Sequence, residues 1–267
     1  VNGAMTREAL RAEWTKLRTL PSTAWLLAAL ALGTALLGAA MTAAVDTSHC
    51  PAPSGCREDL PRLSLGGVRI GQVAAVVLAT LAIGNEHGTG LIRTTLAATP
   101  RRTVVLLAKA AVLAAAVGAA GTLGVLGSLA AGRAILPGNG FDAAHGYPPL
   151  SLADGATLRA AAGTVLYLVL VALLALGVGT ALRDTAGSLT AVLGLLLLSP
   201  VVAELVGDPD WSERIKELTP MPAGLSIQAT TGLDRLPIGP WPGIGVLAAY
   251  AGAALLFGGR LFAVRDP

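Results

Sequence analysis

Long runs of apolar positions, separated by short polar stretches, set the plan of this chain. A helix rising 1.5 Å per residue needs roughly 20 apolar residues to cross the hydrocarbon core of a bilayer. Five runs have about that length: Ala24–Val45, Ala110–Ala131, Leu158–Leu182, Ala186–Val206 and Trp241–Gly259. A sixth, Val68–Gly84, is shorter and carries Arg69 near one end, where an arginine stem lets the charge snorkel to the interface. The first run exceeds the ~7–15 apolar residues of a secretory leader, so it reads as a span and not as a cleaved signal. The pattern predicts an all-α integral membrane protein with about six transmembrane helices, forming one domain over residues 1–267.

The polar stretches give the orientation. Six spans place both termini on one side, together with residues 1–23, 85–109, 183–185 and 260–267. That side holds Arg7, Arg11, Lys16, Arg18, Arg93, Arg101, Arg102, Lys109, Arg183, Arg260 and Arg265, against only Glu8, Glu13, Glu86, Asp184 and Asp266. Most acids fall in the opposite loops, among them Asp59, Asp142, Asp154, Asp208, Asp210 and Asp234. Lys/Arg excess near span ends marks the cytoplasmic side. The expected placement is a multi-pass protein of the cell membrane with both termini cytoplasmic.

Three segments outside the spans have a pattern of their own. Thr6–Leu20 reads as an amphipathic helix: Leu10, Trp14 and Leu17 recur at helical spacing, with Arg7, Arg11 and Arg18 on a neighbouring face. Such a helix lies at the headgroups of the lipid bilayer, with Trp14 turned into the interface and Pro21 ending it. Between the second and third spans, Gly88 and Gly90 break one helix and Pro100 stops another, isolating a short helix around Leu91–Ala98. The outer loop 207–240 is long for a connector. It carries Trp211, Ile215 and Leu218 at helical spacing, then Ala223–Thr231, apolar but too short to span.

Composition narrows the function classes. Hydrophobic residues make up 54% of the chain and charged ones 13%, half the roughly 25% of a soluble domain. A net charge of +3 without a basic block gives no footprint for nucleic acid. None of the three lysines, Lys16, Lys109 and Lys216, sits in a G-x-x-x-x-G-K-[ST] loop, so ATP cannot bind by that route. Neither H-E-x-x-H nor G-x-S-x-G occurs, and His49, His87 and His145 are dispersed outside the spans. No catalytic residue, metal or cofactor is expected. The spans carry almost no charge, which disfavours an ion-coupled secondary carrier. In the packed interior, Gly118, Gly121 and Gly124 offer a small-residue helix interface. Cys50 and Cys56, beside His49, leave a disulfide, free thiols or part of a metal site open as readings.

The two cytoplasmic segments also carry a family resemblance. Glu86-x-x-x-Gly90-x-Ile92-Arg93-Thr94-Thr95, followed by Pro100-Arg101-Arg102, resembles the loop of ABC-2 type permeases. The opening Glu13-Trp-Thr-Lys-Leu-Arg-Thr-Leu20 is similar to the actinobacterial branch of that family. Where the family usually has Tyr, this chain has His87. The resemblance implies the membrane-spanning half of an exporter that pairs with a second permease subunit and with separate ATPase subunits. It implies that 85–109 is the coupling segment, with Glu86, His87, Gly88, Thr89, Gly90, Arg93, Thr94, Pro100 and Arg101 meeting the ATPase. The first helix, through Arg7, Arg11, Trp14 and Arg18, would lean on the same partner. The loop before the last span would form a re-entrant outer hairpin. A non-transporting scaffold or sensor subunit is the alternative from another class.

Overall fold

The computed structural model describes residues 3–47, 58–88 and 101–264. Every regular element among them is helical. Helix α1, Gly3–Thr19, ends with Lys16 and Arg18 in its last turn, where cations complement the helix dipole. Leu20 alone separates it from α2, Pro21–Ala43. Proline suits a first helical position, because the N–H it lacks has no partner there. The expected break at Pro21 is therefore a one-residue corner.

The second apolar unit begins earlier than the periodicity suggests. Asp59 caps a short helix α3, Leu60–Ser64, by accepting from the Arg62 backbone N–H. A 3-10 turn, Leu65–Gly67, joins it to α4, Val68–Gly88. Together they give an apolar stretch of 27 residues, which resolves the shortness of Val68–Gly84. Gly67 sits against the Thr34 carbonyl and Gly38 against the Ser64 carbonyl, so α2 touches this unit backbone to backbone. Any Cβ at those glycines would collide with main chain.

Helix α5, Arg102–Ile135, starts eight residues before the expected span at Ala110. No proline or glycine lies between Pro100 and Gly118 to stop it. It passes through Arg102 and Lys109, which the periodicity assigns to a loop. On its inner face Gly124 meets the backbone of Ala31 on α2, whereas Gly121 meets Leu168 on the next span. That span is α6, Gly155–Leu182, capped by Asp154 accepting from Thr157 N–H and Oγ1–H at 2.9 and 2.8 Å. A tight corner follows: Arg183 takes φ 57°, and Asp184 caps α7, Thr185–Leu205.

Two short helices, α8 (Pro209–Leu218) and α9 (Pro220–Leu225), precede the last span, α10 (Pro240–Val264). Six units, led by α2, the joined α3–α4, α5, α6, α7 and α10, are long and apolar enough to cross a membrane. This is a multi-pass helical membrane protein.

Helix α6 lies at the centre, flanked by α4, α5, α7 and α10, while α2 packs across α4 and α5. Peripheral spans show their position: 22% of the most apolar window is buried in α2, α7 and α10, against 67% in α3–α4. Their outward positions are large and apolar, as in Trp25, Leu32 and Leu36 on α2 or Leu256 and Phe257 on α10. Such positions suit an apolar surrounding and not water.

Contacts fix which ends lie together. Arg102 donates to the Phe262 carbonyl at 2.8 Å, joining the start of α5 to the end of α10. Gly84, late in α4, sits against Thr185 at the start of α7. Helix α1 packs on α5 at the same end. The helices leading to both chain termini therefore share one end of the bundle, as alternation of six spans requires. The far end carries α3, α8, α9 and the loops around 136–154 and 226–239.

Candidate functional site

Among the described residues, four charged side chains meet where α1 packs against the end of α4 and the start of α5. Lys109 Nζ donates to Glu13 Oε2 at 2.6 Å, to Glu86 Oε1 at 2.9 Å and to the Ala82 carbonyl at 3.1 Å. An ammonium has three donors, and all three of Lys109 are satisfied. Lys16 Nζ donates to Glu13 Oε1 and Glu86 Oε1, both at 2.7 Å. The side chains of Glu13, Glu86 and Lys109 are only 5–6% exposed. Glu86 Oε2 is buried and accepts no hydrogen bond among the described residues.

Local structure explains the assembly. Glu13 and Lys16 stand three apart on α1, hence on one face. Glu86 ends the buried face of α4, and Ala82 lies one turn before it. Lys109 lies two turns into α5. The cluster therefore ties three elements: the first helix and the two helices that flank the 89–100 segment. Among the described residues its two acids and two lysines balance. Desolvation penalises the Lys16 ammonium, but its bonds to Glu13 and Glu86 outweigh that and hold its pKa above the usual lysine value. Its contribution to stability is complete below pH ~10.5 and disappears only as pH rises beyond that.

The predicted site residues divide between this cluster and the surface. Glu86 is turned inward. His87 and Gly88 are the last two described residues of α4. Thr89, Gly90, Arg93, Thr94 and Pro100 lie outside the described residues. Arg101 is exposed immediately before α5. On α1, Arg7, Arg11, Trp14 and Arg18 all face away from the bundle, and the packed face runs through Ala9, Glu13 and Lys16. Of the amphipathic stripe, Leu10 and Leu17 are half-buried, with Leu17 against the core, and Trp14 is exposed. Cys50 and Cys56 lie outside the described residues.

At the far end, α8 is exposed, with Arg214 stacked 5.7 Å from the Trp211 ring centroid. The next stretch, 220–229, is buried. Gly224 lies against the Tyr167 ring, and Gly243 of α10 leaves room for the Ala223 carbonyl and Ser226. Tyr167 Oη–H donates to Gln72 Oε1, and Gln72 Nε2 donates to Met221 Sδ at 3.5 Å. Gln228 donates to Thr164 Oγ1 at 3.1 Å and the Leu65 carbonyl at 3.3 Å. Asp59 then clasps the exit of this stretch: its carboxylate accepts from Thr230 N–H, Thr230 Oγ1–H and Thr231 N–H. Sequence reasoning missed these partners, although buried Gln72 and Gln228 in apolar surroundings are a readable signal that hydrogen bonds await them.

Among the described residues no group of three or more His, Cys, Asp and Glu side chains could hold a metal ion. No family model matches the chain, and no curated protein matches it.

Proposed function

We propose that this chain is the membrane-spanning subunit of an ATP-driven exporter of the ABC-2 type. It works as a dimer with separate ATPase subunits on the Lys/Arg-rich, cytoplasmic side. The observation that carries this reading is the neutral charge cluster of Glu13, Lys16, Glu86 and Lys109. A connecting loop with no mechanical role needs no brace. Here both helices that flank the 89–100 segment are fastened to each other and to α1 by charges removed from water. A push on that segment reaches α4 and α5 together and moves α1 with them. Arg101, Trp14 and the arginines of α1 remain outward, free to meet a partner or the headgroups.

At the other end, 220–229 re-enters the membrane as a short hairpin and caps the pathway. Its support is the burial of a stretch too short to cross, held by Gln72, Tyr167, Gln228 and Asp59. Interfaces built on Gly67, Gly38 and Gly124 allow α2, α4 and α5 to move as one packed body.

Two experiments test the reading. The tagged chain, extracted in mild detergent, is expected to copurify with a polypeptide that carries a Walker loop and hydrolyses ATP. Recovery of the folded chain with no such ATPase, from cells that make its native partners, favours the scaffold or sensor alternative. Orientation is checked by cysteine scanning in a chain lacking Cys50 and Cys56. Arg101→Cys and Ala263→Cys are expected to resist a membrane-impermeant thiol reagent in intact cells, while Asp210→Cys labels. Labelling at the first two positions from outside excludes the orientation.

A further inference from the structure

Arg62 and Arg69 do not fit the charge plan of the bundle. They lie at the far, acid-rich end, on α3 and in the first turn of α4. Both side chains are exposed and open to a charged group from outside the chain. Asp59 lies beside them but turns its oxygens to Thr230, Thr231 and the Arg62 backbone N–H and pairs with neither guanidinium. Neither guanidinium forms an ion pair among the described residues.

Both arginines open into the same space. A crevice of about 210 Å³ lies between the first turn of α4 and the last turn of α7, with Arg62, Arg69 and Lys216 beside Glu204. Apart from Ser226 its remaining wall is apolar, with Pro200, Met221, Pro222, Leu225, Leu236 and Ile238 among it. A second hollow of about 500 Å³ shares Arg62, Arg69 and Leu225 and adds Glu58 and Gln228. Cations above an apolar wall, at the end of membrane-spanning helices, match an amphiphile with an acidic head. Arginine is suited to phosphate because its planar fork donates two parallel hydrogen bonds. In the smaller crevice three cations face one acid, Glu204, and Glu58 and Asp59 line the larger hollow, so a singly charged phosphodiester fits and a multiply charged head does not.

We infer that the crevice between α4 and α7 binds one anionic phospholipid-like amphiphile, its phosphodiester on Arg62 and Arg69 and its chain on Met221, Leu225 and Ile238. This site stands apart from the exporter reading, since it requires only the bundle in a bilayer. The ligand serves equally as a resident lipid or as cargo, and the headgroup chemistry is common to both.

Native mass spectrometry of the full chain in mild detergent, titrated with phosphatidylglycerol, tests it. The native chain is expected to retain one phosphatidylglycerol in preference to phosphatidylcholine. Arg62→Gln with Arg69→Gln is expected to weaken that binding tenfold or more, because each cation near a headgroup contributes substantially. Arg235→Gln, at the same end but outside both hollows, is expected to stay within twofold. Equal retention by the double variant, or equal retention of phosphatidylcholine, overturns the inference. So does displacement by millimolar inorganic phosphate, which would make this a plain anion site. If the double variant fails to fold, Lys216→Gln is read in its place: about a threefold loss supports the site, and no loss overturns it. Protection of the site during ATP-driven turnover would mark a resident lipid, whereas ATP-dependent release would mark cargo; either outcome supports an amphiphile there.

Discussion

Replacing Lys109 with methionine is expected to destabilise the folded chain by about 3–5 kcal/mol, the usual cost of breaking a buried ion pair from one side. The change leaves Glu13 and Glu86 facing each other beside a single remaining cation, Lys16, which is the most exposed member of the cluster. The Ala82 carbonyl also loses its side-chain donor. Replacing all four members with apolar residues of similar volume is expected to restore most of that loss, since no uncompensated charge then remains. Thermal unfolding in detergent, followed by tryptophan fluorescence, separates the two cases. A Lys109→Met chain that melts with the native one would show that the cluster carries no structural energy.

A second large effect is expected at Gly67. A methyl group there meets the Thr34 carbonyl and the Gly38 backbone nitrogen, which belong to main chain and cannot swing aside. Gly67→Ala is expected to cost about 3 kcal/mol, at the upper end for overpacking. The same substitution at Gly252 meets nothing within 4 Å. There alanine is expected to raise stability by up to about 1 kcal/mol, the difference in helix propensity. Both are measured as unfolding midpoints under identical conditions. Equal effects at the two sites would mean that α2 and the α3–α4 unit are not in backbone contact.

Much of this architecture is legible in the sequence, and the reasons are local. Apolar runs report spans because lipid demands them continuously, and Pro21 reports a corner because it lacks a donor. The starts of α4 and α5 are less visible. The apolar run reads as starting at Val68, but α2 packs against Gly66 and Gly67 and the helical path runs back through a 3-10 turn to Leu60. Lys109 reads as a loop charge, yet two acids neutralise it inside α5. The cluster itself joins residues 23 to 96 positions apart, and no helical period can pair those. Glu86 shows the consequence most plainly. As sequence it is a charge offered to a partner, whereas in the fold its nearest partners are two lysines of its own chain. One signal was present: two of the chain's three lysines belong to the cluster, in a protein that otherwise uses arginine. A compact ammonium fits among carboxylates where a broad guanidinium does not.

The central claim is that the 89–100 segment passes force from a partner ATPase into α4 and α5. Its most direct test is ATP hydrolysis by that copurified partner in proteoliposomes, measured with the native chain and with Gly90→Pro. Proline at that position restricts the backbone and removes a donor, while the four residues of the charge cluster are unchanged. The account predicts that the variant still inserts, melts as the native chain does and still holds the ATPase. It also predicts that the native chain stimulates hydrolysis and Gly90→Pro does not. Full stimulation by a properly inserted Gly90→Pro chain would contradict the claim and reduce the segment to a connector.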